Sequence, residues 1–159
     1  MEAITSKEFT KLIREAEVGK IQGVLTEYLN VTCKVVPADS GKVLVCDDFV
    51  TKIKSLTSEI RDGDLVWSRS DGFLLIIDLH PNINNDGNHY RALKTNIDAT
   101  GGIHIACHER SIVVDKAACL RIRPTTFDLY AINKLSFERY QMYSRIIEID
   151  TLLDTMKEK

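Results

Sequence analysis

The chain has 159 residues, 44% of them hydrophobic and 28% charged, with a formal net charge of −2. That length and balance suit one globular domain with its own core, and the even spread of charge excludes a protein held to phosphate by bulk basicity. No apolar run approaches the ~20 residues of a membrane span, and the N-terminal MEAITSKEFTKLIREAE lacks a signal-peptide apolar core, so a cytoplasmic location is expected.

Thr5-Ser6-Lys7-Glu8 has the spacing of a capping box, and Phe9, Leu12, Ile13 and Ala16 follow at helical period. A first helix is predicted over 6–17, with Gly19 as its stop. From Lys20 the period changes. Val31, Cys33 and Val35 alternate with polar residues, Pro37 and Asp39-Ser40-Gly41 mark a turn, and 42–46 is the return strand. With Asp39-Ser40 central, Cys33 stands opposite Cys46. Such a pair bridges in an oxidising compartment and stays as two buried thiols in a reducing one, and the cytoplasmic expectation favours thiols. Asp47-Asp48 then caps a helix with Phe49, Ile53, Leu56 and Ile60 on one face. Residues 1–60 thus read as a helix–hairpin–helix portion.

Strand-like runs follow at 65–69, 73–79, 89–97, 102–108, 111–114 and 119–122, separated by turn chemistry such as Ser70-Asp71-Gly72 and Ala99-Thr100-Gly101-Gly102. Short strands at this spacing predict a small antiparallel β-barrel over 61–124. The run from Phe73 to Ile77 is apolar on both faces and belongs in the middle of the sheet. Leu65, Trp67 and Arg69 share one face of the opening strand, which places Trp67 at the core's rim with its indole N–H near the surface. Residues 125–159 return to helical period, with Ser136 as a cap and Phe137, Tyr140, Tyr143, Ile146, Ile147, Leu153 and Met156 in a broad apolar stripe. The fold class predicted is α+β: a small antiparallel β-barrel flanked by the helix–hairpin–helix portion and a long C-terminal helix, packed as one unit.

Gly63-Asp64-Leu65-Val66-Trp67 resembles the opening strand of Tudor- and KOW-type small barrels, and His89-Tyr90-Arg91-Ala92-Leu93, after Asp86-Gly87, resembles their aromatic-Tyr-Arg-Ala strand. Gly102-Ile103-His104-Ile105, and Ser111-Ile112-Val113-Val114 leading into Leu120-Arg121-Ile122, are similar to the strands that follow. The resemblance implies a docking barrel for nucleic acid or protein. It departs where cage aromatics cluster in that family, here Ala106-Cys107-His108-Glu109-Arg110, so methylated side chains are not the implied ligand.

Three readings of function follow. In the first, a non-enzymatic accessory protein binds nucleic acid through Trp67, Arg69, Tyr90, Arg91, Arg121 and Arg123: arginine forks hold phosphate and aromatics stack on bases. Against it, the acidic residues of the same segment pair with these arginines and leave a neutral surface. In the second, residues 136–157 dock a protein partner or a second copy. In the third, Asp78, His80, His104 and His108 hold a metal in an enzyme. Cys107 and His108 are neighbours and point to opposite strand faces, which argues against a dyad. The chain has no phosphate loop, dinucleotide fingerprint or nucleophile elbow, so no catalytic residue and no cofactor is assigned.

Overall fold

The computed structural model describes the chain apart from residues 34, 39–40, 82–86, 106–110 and 159, and apart from the side chains of 36–38. The turn at Asp39-Ser40 and the stretch holding Cys107 and His108 therefore lie outside the described residues.

The N-terminal portion runs β1 (Glu2–Thr5), α1 (Ser6–Ala16), α2 (Val24–Thr32), β2 (Val36–Ala38), β3 (Lys42–Val45) and α3 (Phe49–Leu56). α1 forms where its cap predicts: Thr5 Oγ1 accepts the Glu8 N–H at 3.1 Å. β1, which the sequence reading missed, pairs antiparallel with β3, and β2 lies on the other edge of β3.

α2 corrects a second expectation. The alternation through Val31 and Cys33 reads as a strand, yet the chain is helical to Thr32 and Cys33 is the residue that caps it. Val24, Leu25 and Leu29 lie on the buried side of that helix, and their burial outweighs the alternation. Gly23 starts the helix at φ 81°, and the Glu17 carboxylate accepts the N–H groups of Gly23 (3.2 Å) and Leu25 (2.7 Å), supplying the cap that glycine lacks. The hairpin register pairs Val36 with Leu44 and Ala38 with Lys42, one residue away from the register that opposes Cys33 and Cys46. Both are free thiols.

The second sheet has six antiparallel strands: β4 (Asp64–Ser68), β5 (Gly72–Asp78), β6 (His89–Ile97), β7 (Ile103–Ile105), β8 (Ile112–Asp115) and β9 (Cys119–Pro124). The order is β7-β6-β5-β4-β9, with β8 also on β6. The long β6 divides its outer edge, pairing with β8 through His89–Ala92 and with β7 through Thr95–Ile97. A 3-10 turn, Lys116–Ala118, carries the chain from β8 to β9, which returns to pair with β4. The architecture shown is α+β, with an antiparallel sheet and a long C-terminal helix; among the described residues no ladder joins β9 to β7 or β8 to close a barrel. Gly63 enters β4 at φ 86°, where its N–H bonds Ile76 O and its carbonyl accepts from Thr125, tying both ends of the sheet segment together.

Both sheet faces are covered, as the apolar β5 requires. Leu65, Trp67, Leu75, Ile77 and Leu93 share one face through the β4–β5–β6 register. At the Trp67 end Val24, Leu25, Leu29 and Ile53 of the N-terminal helices pack on it. At the Leu75 end Leu129 and Ile132 do so. On the other face Val66, Leu74, Ile76, Ala92, Val114 and Cys119 form a core with Ile60.

Leu129 and Ile132 belong to α4 (Leu129–Thr155), a helix of 27 residues. Its cap is Asp128, whose carboxylate accepts the Ala131 N–H at 3.2 Å; Ser136 lies inside the helix. The start comes earlier than the sequence predicts because Leu129 and Ile132 find apolar cover on the sheet. At 1.5 Å per residue the helix is ~40 Å long. No helix among the described residues is long and apolar enough to cross a membrane.

Candidate interaction surfaces

The six residues of the nucleic-acid reading divide between the two faces of the sheet. Trp67 is 8% exposed, inside the core shared with the N-terminal helices, and meets the Tyr28 ring edge-on at 5.5 Å and 62°. Arg91 shares that face and donates from Nη1 to Ser111 Oγ at 2.9 Å. Tyr90 and Arg121 alternate onto the opposite face, with Val114 and Val66 as their cross-strand partners. Tyr90 is partly exposed, with Lys116 Nζ 5.1 Å from its ring centroid.

Carboxylates far off in sequence hold two of the arginines. Arg69 Nε lies 2.6 Å from Glu27 Oε2, and its Nη2 donates to Gln22 O at 2.9 Å, so Arg69 fastens α2 to the end of β4. Arg121 Nε lies 2.8 Å from Asp64 Oδ2; the Asp64 side chain is 3% exposed and also accepts the Arg61 N–H. A buried carboxylate needs such partners. Arg123 donates to Gly101 O at 3.1 Å.

The metal reading gathers no cluster. His104 Nε2 sits 2.8 Å from Asp98 Oδ2, while Asp78 accepts the His80 N–H, and His108 is not among the described residues. No group of three metal-ligating side chains occurs among the described residues. Asp98 organises the β6–β7 turn instead. The Thr100 hydroxyl, then His104 and the Gly102 and Thr100 N–H groups, hold its carboxyl well below the usual carboxylate range. Burial pushes the Cys119 thiol up to about 12, which keeps it protonated and removes it as a nucleophile.

α4 presents the other surface. None of its residues is buried, and from Met142 to Met156 its large apolar side chains are 38–70% exposed. The stripe includes Leu135, Met142 and Ile149, which the sequence reading passed over; their signal was a seven-residue spacing within one continuous helix. Two clefts flank the helix where it leaves the sheet. One of 480 Å³ is lined by Ile77, Arg91, Leu93, Ser111 and Tyr140 among others. The other, of 600 Å³, lies between Ile105 of β7 and the Ile132, Leu135, Met142 and Ile146 side of α4.

No family model, no curated protein and no solved structure matches this chain.

Proposed function

We propose that this chain is a non-enzymatic interaction protein that docks through the apolar stripe of α4. One observation carries the reading: among the described residues, the helix with the most exposed large apolar side chains is also the α-helix that buries none of its residues. A helix of isolated polar surroundings gains nothing from leucine, isoleucine and methionine in water, whereas helix recognition uses such stripes as anchors. The rest of the chain serves as the platform. Its two sheet faces carry their own cover, and Leu129 and Ile132 root the helix on the face of Leu75 and Leu93.

The test separates docking from packing. Trp67 is the chain's single tryptophan and sits in the body, so its fluorescence reports the body alone. In a denaturant titration of dilute protein, I146K/L153K is expected to unfold the body at the wild-type midpoint. A lowered midpoint would mean that the stripe is part of the fold, and the docking reading would fall.

A second reading keeps one specific support. Tyr90 stands partly exposed beneath Lys116 on the β6–β8 edge, a pairing suited to stacking a base beside a phosphate. In that reading the six strands act as an opened small barrel and the protein is a cytoplasmic nucleic-acid-binding factor. Binding of a labelled DNA or RNA probe should then weaken steeply as salt rises. An unshifted probe at low salt removes it.

A further inference from the structure

The sequence of α4 carries a repeat that identifies what covers the stripe. Starting at Ile132, apolar residues recur at alternating steps of three and four: Ile132, Leu135, Met142, Ile146, Ile149 and Leu153, continued by the C-cap residue Met156 just past the helix, with Arg139 at the one remaining seam position. In heptad terms Ile132, Arg139, Ile146 and Leu153 are a positions, and Leu135, Met142, Ile149 and Met156 are d positions. A strict seven-residue repeat is the signature of a helix wound on another helix, since a helix packed on a sheet has no need of it. Of the seven apolar seam residues, only Ile132 contributes to the core of the body. Leu135, Met142, Ile146, Ile149, Leu153 and Met156 are 40–70% exposed.

Charge selects the partner and its direction. Flanking the seam, Arg145 falls at g and Asp150 at e, the two positions that face each other across a parallel pair. Glu138, also at g, borders the a position of the opposite helix, where Arg139 of the second copy stands. In a parallel, in-register pair of identical helices both contacts are attractive and each occurs twice, and the two Arg139 side chains that meet in one a layer each have Glu138 of the other copy beside them. An antiparallel pair overlapping along the whole seam sets Arg145 against Arg145 of the other copy and Arg139 against Ile149, which costs both charge and solvation. A single polar residue in the seam also fixes register. The flanking charges thus favour the parallel arrangement, at the cost of one Arg139 layer in the seam.

We propose that α4 is a parallel, two-stranded coiled coil formed with a second copy of this chain, seamed from Leu135 to Met156 and registered by Arg145–Asp150 and Glu138–Arg139 contacts between copies. This rests on the reading of α4 as a docking element and names its occupant. The intrahelical Arg145–Glu148 contact, 3.0 Å and exposed on both sides, leaves Arg145 in solvent and able to exchange Glu148 for Asp150 of a second copy.

Two measurements on the full chain test it. Sedimentation equilibrium of the wild type should give twice the 18.0 kDa chain mass. I146K/L153K should raise the dissociation constant ~100-fold or more, because each copy then places two ammonium groups in the seam. Direction is read with M156C under mild oxidation. In the parallel register the two introduced thiols face each other and give a disulfide-linked dimer, mapped by mass spectrometry, at a yield well above the wild-type background. In the antiparallel pair they lie at opposite ends of the seam, ~35 Å apart, and cannot join. A wild type that stays monomeric to ~100 µM overturns the second copy as occupant. A dimer that I146K/L153K dissociates but M156C does not cross-link overturns the parallel register. Neither result touches the docking reading, which falls only if I146K/L153K destabilises the body in the Trp67 fluorescence titration.

Discussion

The body and α4 are built from similar residues and treat them in opposite ways. In the body, Leu65, Leu74, Leu75, Ile76 and Leu120 are at most 1% exposed; one face of the sheet is covered by the N-terminal helices and the start of α4, and the other forms a core among its own strands and Ile60. Polar groups in the body are equally accounted for: among the described residues no buried side-chain nitrogen or oxygen lacks a partner. In α4, residues of the same kind stand half in solvent over four turns. The contrast teaches that apolar composition does not distinguish core from docking surface; completeness of cover does. The apolar residues of the body are buried by one another, whereas those of α4 beyond Ile132 are left exposed among the described residues.

The comparison breaks most readily at Trp67. It joins the N-terminal helices to the sheet, so W67A should cost about 3–5 kcal/mol in a urea titration followed by circular dichroism. A loss under ~1 kcal/mol would show that the two parts do not share a core. W67F should retain the fold, because it keeps most of the apolar volume against Tyr28 and Leu120. Next in size is the seam: I146K/L153K weakens self-association ~100-fold while the body's unfolding midpoint holds, and movement of both quantities together would erase the distinction. D64A should then lower stability by about 2 kcal/mol, since it leaves Arg121 without its carboxylate and the Arg61 N–H without an acceptor. Losing less than half of that would mark Asp64 as a surface ion pair rather than a buried one. R145E should weaken the dimer about tenfold, with R145E/D150R restoring it, because the swap rebuilds the attraction only between parallel copies.

The smallest effect is local and pH-dependent. The Asp98 carboxyl is held below its ordinary range by Thr100, His104 and Gly102. A group whose folded value is lowered stabilises above its unfolded value of about 3.9 and loses that contribution as pH falls toward the folded one. Acidification below pH ~4 should therefore loosen the β6–β7 turn first, seen as faster amide exchange at Gly102 and Ile103 while β5 amides stay protected. In an NMR titration the Asp98 carboxyl should have a midpoint clearly below 3.9. An ordinary midpoint would show that the turn does not depend on its charge.

Much of the fold was legible because its signals are local. Alternation and turn residues mark β4, β5, β6 and β9 within a residue or two, and helical period marks α1, α3 and α4. α2 was not legible, since Val31, Cys33 and Val35 alternate by chance across a helix end, and its cap comes from Glu17 seven residues upstream of the helix. β1 precedes a strong capping box and carries too few residues to show a period. The surface was harder. Arg69 and Arg121 invite a ligand in sequence, but their partners Glu27 and Asp64 lie 42 and 57 residues away, a distance that no local pattern spans. The α4 stripe was legible in part: Ile146, Leu153 and Met156 stood out, while Ile132, Leu135, Met142 and Ile149 fall into line only once the helix is seen to run unbroken from Leu129.

Hydrogen exchange at two concentrations tests the central claim most directly. Between ~1 µM and ~100 µM, amides of residues 142–155 should slow markedly, because association closes the seam, while amides of β4 and β5 keep the same rates. If α4 and the body respond alike, or if α4 exchanges at one rate across the whole range, then α4 is not a docking element closed by a second copy.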